Sequence, residues 1–137
     1  MSAVVLLDNE AVQALRDPAH RKHRRVIGYV LGSARGTARA VEVGVAVPTA
    51  VRVEAGWDRT APSWAFVNQL GMVDIPLGSE HSDAAAGIRK RTGVSVADAH
   101  LGAAIQMAES NHVIVITSDP HDMRKVAEGK PIELVVL

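Results

Sequence analysis

The stretch 4–15, "VVLLDNEAVQAL", passes within a few residues from an apolar run to polar side chains. Its first four residues are typical of a short buried strand, and residues 8–15 predict a short helix. The same pattern recurs at 112–120, "HVIVITSDP", where an apolar run leads to Pro120, a residue favoured at the first position of a helix. Strands that lead straight into helices favour an α/β fold with a parallel sheet.

Strand and helix signals alternate along the rest of the chain. "RAVEVGVAVP" predicts a strand that ends near Pro48, and "TAVRVEAGW" predicts a helix from Thr49. "MVDIPL" predicts an edge strand, because Pro76 argues against a central position. Further helices are predicted at about 18–31, 62–70, 79–93, 95–110 and 119–130, with Gly129 as the stop of the last one, and a final strand at 132–137. We therefore expect a single domain over 1–137, a three-layer α/β/α sandwich with a mainly parallel central sheet.

The composition narrows the kinds of site that the chain can form. Hydrophobic residues make up 47% and charged residues 22%, which is ordinary for a soluble globular protein. Because there is no cysteine, disulfides and thiolate metal sites are excluded, and an oxygen-ligand site is more natural. No apolar run approaches the ~18 residues of a membrane span, and no signal peptide is evident, so a cytoplasmic location is expected.

Four acidic residues stand close to the predicted carboxyl edge of the sheet. Asp8 and Asp119 directly follow strands, and Glu54 lies within two turns of a strand end. Asp98 opens the helix before the "VIVITS" strand. In parallel sheets the carboxyl ends of the strands share one edge, where ligand sites collect. Clustered carboxylates repel one another unless a cation joins them, and Mg²⁺ or Mn²⁺ suits oxygen ligands.

Helix capping explains three of these acids one at a time. Asp8 and Asp119 are good N-cap residues, and Asp98 lies three residues after Ser95, close to a capping box. Capping does not explain Glu54, and it does not predict a shared location for all four. We therefore expect Asp8, Asp98 and Asp119 to bind metal directly or through water.

Four segments resemble the PIN-domain family, and within it the VapC-type toxins of toxin–antitoxin pairs. They are "VVLLDNEA", "VPTAVRVEAG", "VSVADAHLGAAI" and "VIVITSDPHDM", and with their spacing they cover nearly the whole chain. The resemblance implies a Mg²⁺-dependent endoribonuclease with an antitoxin partner, an RNA substrate and a homodimeric state. It places Asp8, Glu54, Asp98 and Asp119 at the acidic positions of the family, where Glu54 binds a second ion or positions the attacking water.

Several neighbours of these acids are candidate accessory residues. Asn9 stands where many relatives carry a small hydroxyl residue, and Asn can still donate and accept hydrogen bonds. Asp122 is an alternative to Asp119 as the last acid. Thr117 and Ser118 are expected to orient the site or to contact a phosphate.

The charge is unevenly distributed although the net charge is zero. Residues 16–39 hold seven basic residues, among them Arg35 and Arg39, and one acid, Asp17. On a predicted helix, Arg21, Lys22 and Arg25 are candidate contacts for RNA or for an acidic antitoxin segment. The alternative is a solvated helix face.

Other functions stay open on the sequence alone. A receiver-like phospho-acceptor domain requires an Asp after a middle strand and a Lys after the last one, whereas "VPTA" follows the middle strand here. A non-catalytic metal-binding α/β regulatory domain is also compatible. The six histidines show no zinc-ligand spacing; His100 and His121 lie near the proposed site without being needed as ligands. Trp57 and Trp64 are expected to be packing or partner contacts rather than platforms for RNA bases.

Overall fold

Five parallel strands form one central sheet in the computed structural model, which describes residues 2–36 and 42–137. The strands are β1 (Ser2–Leu7), β2 (Glu42–Pro48), β3 (Val73–Ile75), β4 (His112–Thr117) and β5 (Glu133–Val136). They are ordered β3-β2-β1-β4-β5. Every neighbouring pair is parallel, which confirms the predicted sheet and the predicted edge position of β3.

Helices cover both faces of the sheet. They are α1 (Asn9–Arg16), α2 (His23–Gly36), α3 (Thr49–Ala55), α4 (Ala65–Asn68), α5 (Ser79–Thr92), α6 (Val96–Met107) and α7 (Pro120–Ala127), with a 3-10 turn at Pro62–Trp64. The first four helices pack mainly on one face and the last three on the other. Along β1, Val5 and Leu7 enter the first core and Leu6 the second, as strand alternation requires. The three-layer α/β/α sandwich is therefore confirmed.

The strand register brings the ends of the two central strands to the same level. Leu7 of β1 pairs with Ile116 of β4, and the backbone N–H of Asp8 donates to the Ile116 carbonyl at 3.2 Å. Each of β1, β2 and β4 is followed within three residues by a helix. The residues at these transitions, which include Asp8 and Asp119, consequently gather at one edge of the sheet.

The strand order also separates this fold from a receiver domain. The described sheet has the order 3-2-1-4-5 in chain numbering, whereas receiver-like domains have the order 2-1-3-4-5. The receiver-like alternative is therefore excluded by topology.

The start of the second helix differs from the prediction. Helix α2 begins at His23 rather than near Pro18. The carboxylate of Asp17 accepts the Ala19 N–H at 2.9 Å, and His20 Nδ1 accepts the Lys22 N–H at 3.1 Å. These local hydrogen bonds stabilise turns in place of the first helical turn.

Two further boundaries depart from the sequence-based expectation. Helix α2 continues past Gly32 to Gly36, and helix α7 ends at Ala127 because Glu128 already adopts a left-handed conformation with φ of 49°. Arg39, with the predicted start of the second strand, lies outside the described residues.

The two tryptophans belong to the core, as expected. Trp57 and Trp64 are each 3% exposed, and their rings stack with centroids 5.8 Å apart. Within 2–36 and 42–137, no helix combines the length and apolar character that crossing a membrane requires.

Candidate functional site

Asp8 is a buried carboxylate at the centre of the carboxyl edge. It is 6% exposed and accepts hydrogen bonds from Ala11 N at 2.9 Å, Thr117 Oγ1 at 2.6 Å and Ser118 N at 3.3 Å. Burial raises its pKa despite these three donors, and the nearby charge of Glu10 adds to the rise. Asp8 therefore caps α1, as its position after a strand suggested, and also places a buried negative charge at the sheet edge.

Thr117 connects the first and last acidic segments. Its hydroxyl donates to Asp8 and accepts the backbone N–H of Asp119 at 2.8 Å. Asp119 in turn caps α7 by accepting the Asp122 N–H at 3.1 Å. Thr117 thus orients Asp8, whereas Ser118 contacts Asp8 through its backbone amide.

The surroundings of Asp98 indicate which acidic side chains lie near it. Its backbone N–H donates to Ser95 Oγ at 3.1 Å, so the predicted cap forms. Burial raises the pKa of Asp98 most, and the charges of Glu54, Asp122, Asp8 and Asp119 add to the rise in that order of strength, which brings the pKa to about 6. The four predicted acids and Asp122 therefore lie in one region of the structure. The charge of Asp122 raises the pKa of Asp98 more than the charge of Asp119 does.

The described carboxylates near Asp98 do not form a complete set of metal ligands by themselves. Among the described side chains, no three histidine, aspartate or glutamate residues are close enough together to hold a metal ion by themselves. Glu54 is exposed, and Asp122 has Lys125 Nζ at 3.6 Å. The donor set is composed of oxygen, which suits a hard cation that keeps water in its coordination shell.

Asn9 contributes an unpartnered oxygen beside Asp8. It occupies the first position of α1, and its Oδ1 is buried with no hydrogen-bond donor among the described residues. A buried polar atom without a partner in a native structure often marks a site for an ion or water.

His100 joins the helices that carry two of the acids. It is fully buried on α6, and its Nδ1 accepts the backbone N–H of Ala50, in the first turn of α3, at 3.3 Å. Its Nε2 has no hydrogen bond in the described part of the chain, and its ring contacts His81 edge-on at 5.6 Å. Burial lowers its pKa to about 4, and the charge of His81 contributes. Sequence reasoning missed this contact because residues 50 and 100 are far apart in the chain.

An apolar groove adjoins the acidic region on the side of Glu54. It has a volume of about 460 Å³ and is lined in part by Val53, Leu77 and Val96. Val53 is 82% exposed and Val96 is 47% exposed. The groove thus extends the site with an uncovered apolar surface.

The basic stretch separates into paired and exposed side chains. Lys22 Nζ lies 3.5 Å from Glu10, and His20 Nε2 lies 3.3 Å from the same carboxylate oxygen. Arg21 and Arg25 are exposed. Arg21 and Lys22 precede α2 rather than lying on it, so the prediction that both belong to that helix is wrong. Arg35 and Arg39 are not among the described side chains.

Comparison with known proteins identifies the fold. No protein-family model matches the chain, and no curated protein sequence matches it. The crystal structure of FitAcB from Neisseria gonorrhoeae is similar, with a TM-score of 0.55 and 15% sequence identity over 95% of each chain. The fold is PIN-like. At this identity the likeness concerns the fold, so the activity has to be inferred from the site.

Proposed function

We propose that this protein is a Mg²⁺-dependent endoribonuclease that hydrolyses RNA phosphodiester bonds at the carboxyl edge of its sheet, with Mn²⁺ as a substitute ion. The observation that carries the proposal is the electrostatic environment of Asp98. Four other carboxylates raise its pKa. Such a concentration of negative charge in a partly buried region is stabilised by a divalent cation.

The residues have distinct roles in this proposal. Asp8, Asp98 and Asp119 hold the ion directly or through water, and Asp122 is the alternative to Asp119. Thr117 fixes the orientation of Asp8. When bound, the ion activates water and stabilises charge on phosphate oxygens.

Glu54 and Asn9 complete the proposed site. Glu54, whose side chain is exposed, binds a second ion or positions the attacking water. Asn9 offers its free buried oxygen to the ion or to a water bound to it.

The wider role that we propose is that of a toxin in a toxin–antitoxin pair, of the VapC type, acting in the cytoplasm. FitAcB, which shares the fold, is a toxin–antitoxin complex. The sequence resemblance to VapC-type toxins also supports the toxin role. A cognate antitoxin is the expected protein partner. A homodimer is also proposed, and the apolar groove with exposed Val53 and Val96 is available for such a contact.

The test uses the purified protein, free of any partner, with total RNA. We expect cleavage with Mg²⁺ or Mn²⁺ and none after chelation by EDTA, and sequencing of the cut ends identifies the substrate. Cleavage that persists in EDTA, or no cleavage with either ion, contradicts the proposal. Growth arrest on expression of the protein alone, relieved by its antitoxin, tests the toxin role separately.

The alternative is a non-catalytic metal-binding α/β domain. The described carboxylates do not form a group of three that could hold an ion by themselves, so water would have to complete the ligands of an ion in such a domain. In that case Mn²⁺ still binds, as measured by calorimetry, and RNA stays intact under the conditions above.

A further inference from the structure

The first turn of α3 is held by a side chain from another helix. The first four N–H groups of a helix have no partner within it, and Pro48, which precedes α3, provides no side-chain cap. His100 Nδ1, on α6, accepts the N–H of Ala50 at 3.3 Å. Because α3 has only seven residues, this hydrogen bond is a substantial part of what fixes its start.

Neighbouring elements hold the imidazole and this turn in place. His100 is completely buried, and the ring of His81 on α5 packs against it edge-on with an interplanar angle of 65°. The loop after β3 reaches the same turn, where Leu77 N donates to Thr49 Oγ1 at 3.1 Å. The ring therefore has little freedom to leave Ala50 without moving the surrounding elements.

The anchored turn lies on the same side of α3 as Glu54. Residues 50 and 54 are four apart, so they occupy one face of the helix. On α6, Asp98 lies two residues before His100. Among charged neighbours, Glu54 has the strongest influence on Asp98. The hydrogen bond between His100 and Ala50 thus joins the two helices four residues from Glu54 on α3 and two residues from Asp98 on α6.

We propose that His100 is a positioning residue: its hydrogen bond to Ala50 holds α3 against α6 and thereby sets the place of Glu54 relative to Asp98. This inference rests on the proposed ribonuclease function for its effect on catalysis. The contact itself does not depend on that function.

Two substitutions separate hydrogen bonding from packing. His100→Asn keeps an acceptor oxygen near the place of Nδ1 but loses ring volume, whereas His100→Leu fills more of the volume and has no acceptor. We expect His100→Leu to lower kcat by about tenfold to a hundredfold with little change in KM, since small displacements of catalytic groups have effects of this size. His100→Asn should restore most of the lost kcat. Equal kcat in the two variants, or lower kcat in His100→Asn, indicates packing alone and overturns the proposal.

A double-mutant cycle tests whether His100 acts through Glu54. In a Glu54→Gln background, His100→Leu should change the residual kcat by less than about twofold, because coupled residues are not additive. If His100→Leu lowers kcat by the same factor with and without Glu54, the proposal that His100 acts through Glu54 is wrong.

Hydrogen exchange measures the contact without any reference to activity. The amide of Ala50 should exchange faster in His100→Leu than in wild type and in His100→Asn, while the amide of Val115 in the central strand β4 stays equally protected. Unchanged Ala50 exchange in His100→Leu overturns the positioning role. A wild-type protein that cleaves no RNA contradicts the proposed function, and the exchange result still decides whether His100 holds α3.

His112→Leu is the matched control. This exposed histidine lies at the start of β4 and pairs with Glu133 of β5 at 2.8 Å. Its substitution should leave both kcat and Ala50 exchange unchanged. A similar loss of kcat in His112→Leu means that the effect at His100 is not specific.

Discussion

Asp74 and Asp98 are both partly buried aspartates, yet their surroundings have opposite effects on their charge. Asp74 accepts from Arg52 at 2.9 Å and from Arg59 at 2.8 Å. Burial acts to raise the pKa of Asp74, but the hydrogen bonds and charges of the two arginines outweigh it and lower the pKa. For Asp98, burial and the charges of four nearby carboxylates instead raise the pKa to about 6.

Under the proposed function, the difference distinguishes an acid that stabilises the fold from an acid that holds a metal ion. Where the fold needs a carboxylate, arginines from its own chain neutralise it. At the acidic edge other carboxylates lie near Asp98 instead, which costs stability that the proposed cation would offset. Four predictions test or sharpen this contrast.

The largest expected difference is in RNA cleavage. Asp98→Asn should lower the cleavage rate by at least about a hundredfold, the scale of a lost catalytic group, and Asp8→Asn should do the same. Asp74→Asn should leave the rate nearly unchanged if the variant is folded, because Asp74 is neutralised within the fold. Full activity in either site variant, or unfolding of both, supports capping as the only role of these acids.

Stability in the absence of metal should change in opposite directions. Asp74→Asn should lower the free energy of unfolding by about 1–3 kcal/mol, since it leaves the charged hydrogen bonds of two arginines unmade. Asp98→Asn should raise Tm at pH 7.5, because it removes a charge that the folded state disfavours. Mg²⁺ should raise the Tm of wild type and of Asp74→Asn but not that of Asp98→Asn. Thermal unfolding with and without Mg²⁺ measures all of these effects, and a Tm of Asp98→Asn below wild type contradicts the comparison.

The pH dependence of stability is expected to reflect two opposing groups. Asp98 has a folded pKa of about 6, above its unfolded value, so its contribution to stability decreases as pH rises from about 4 through 6. His100 has a folded pKa of about 4, below its unfolded value, so its contribution is lost as pH falls from about 6.5 through 4.

Substitution of each residue distinguishes the contribution of Asp98 to this pH dependence from that of His100. Relative to wild type, Asp98→Asn should move the pH of maximum stability upward, and His100→Asn should move it downward. Chemical denaturation between pH 4 and pH 8 without metal measures the shift. The same direction of shift in both variants contradicts the assignment.

The smallest expected effect concerns the basic stretch, residues 16–39. In it, Lys22 is paired with Glu10, whereas Arg21 and Arg25 are exposed. Replacing Arg21 and Arg25 with Ala should weaken binding to many RNAs alike. It should also reduce the slope of log affinity against log salt by roughly 0.7 per lost phosphate contact. Lys22→Ala is the control, because the ammonium group of Lys22 already faces Glu10. An unchanged slope in the double variant assigns these arginines to a solvated face or to the antitoxin alone.

The sequence by itself determined the architecture and most of the acidic edge. Hydrophobic runs and the turns that follow them are local properties, so "VVLLDNEA" and "VIVITSDP" were sufficient to predict β1, β4 and the acids at their ends. The edge strand β3 followed from Pro76 in the same way. The start of α2 was misplaced because side-chain hydrogen bonds of Asp17 and His20 compete with the helix over a few residues.

Only the tertiary structure decided which charges are compensated. Asp74 meets Arg59 across 15 residues, His100 meets Ala50 across 50, and Asp8 meets Thr117 across 109. Contacts between distant segments depend on how helices pack across the sheet, which no local pattern encodes. The sequence therefore showed where acids stand, and the packing determined that Asp74 is neutralised by arginines while Asp98 is surrounded by other carboxylates.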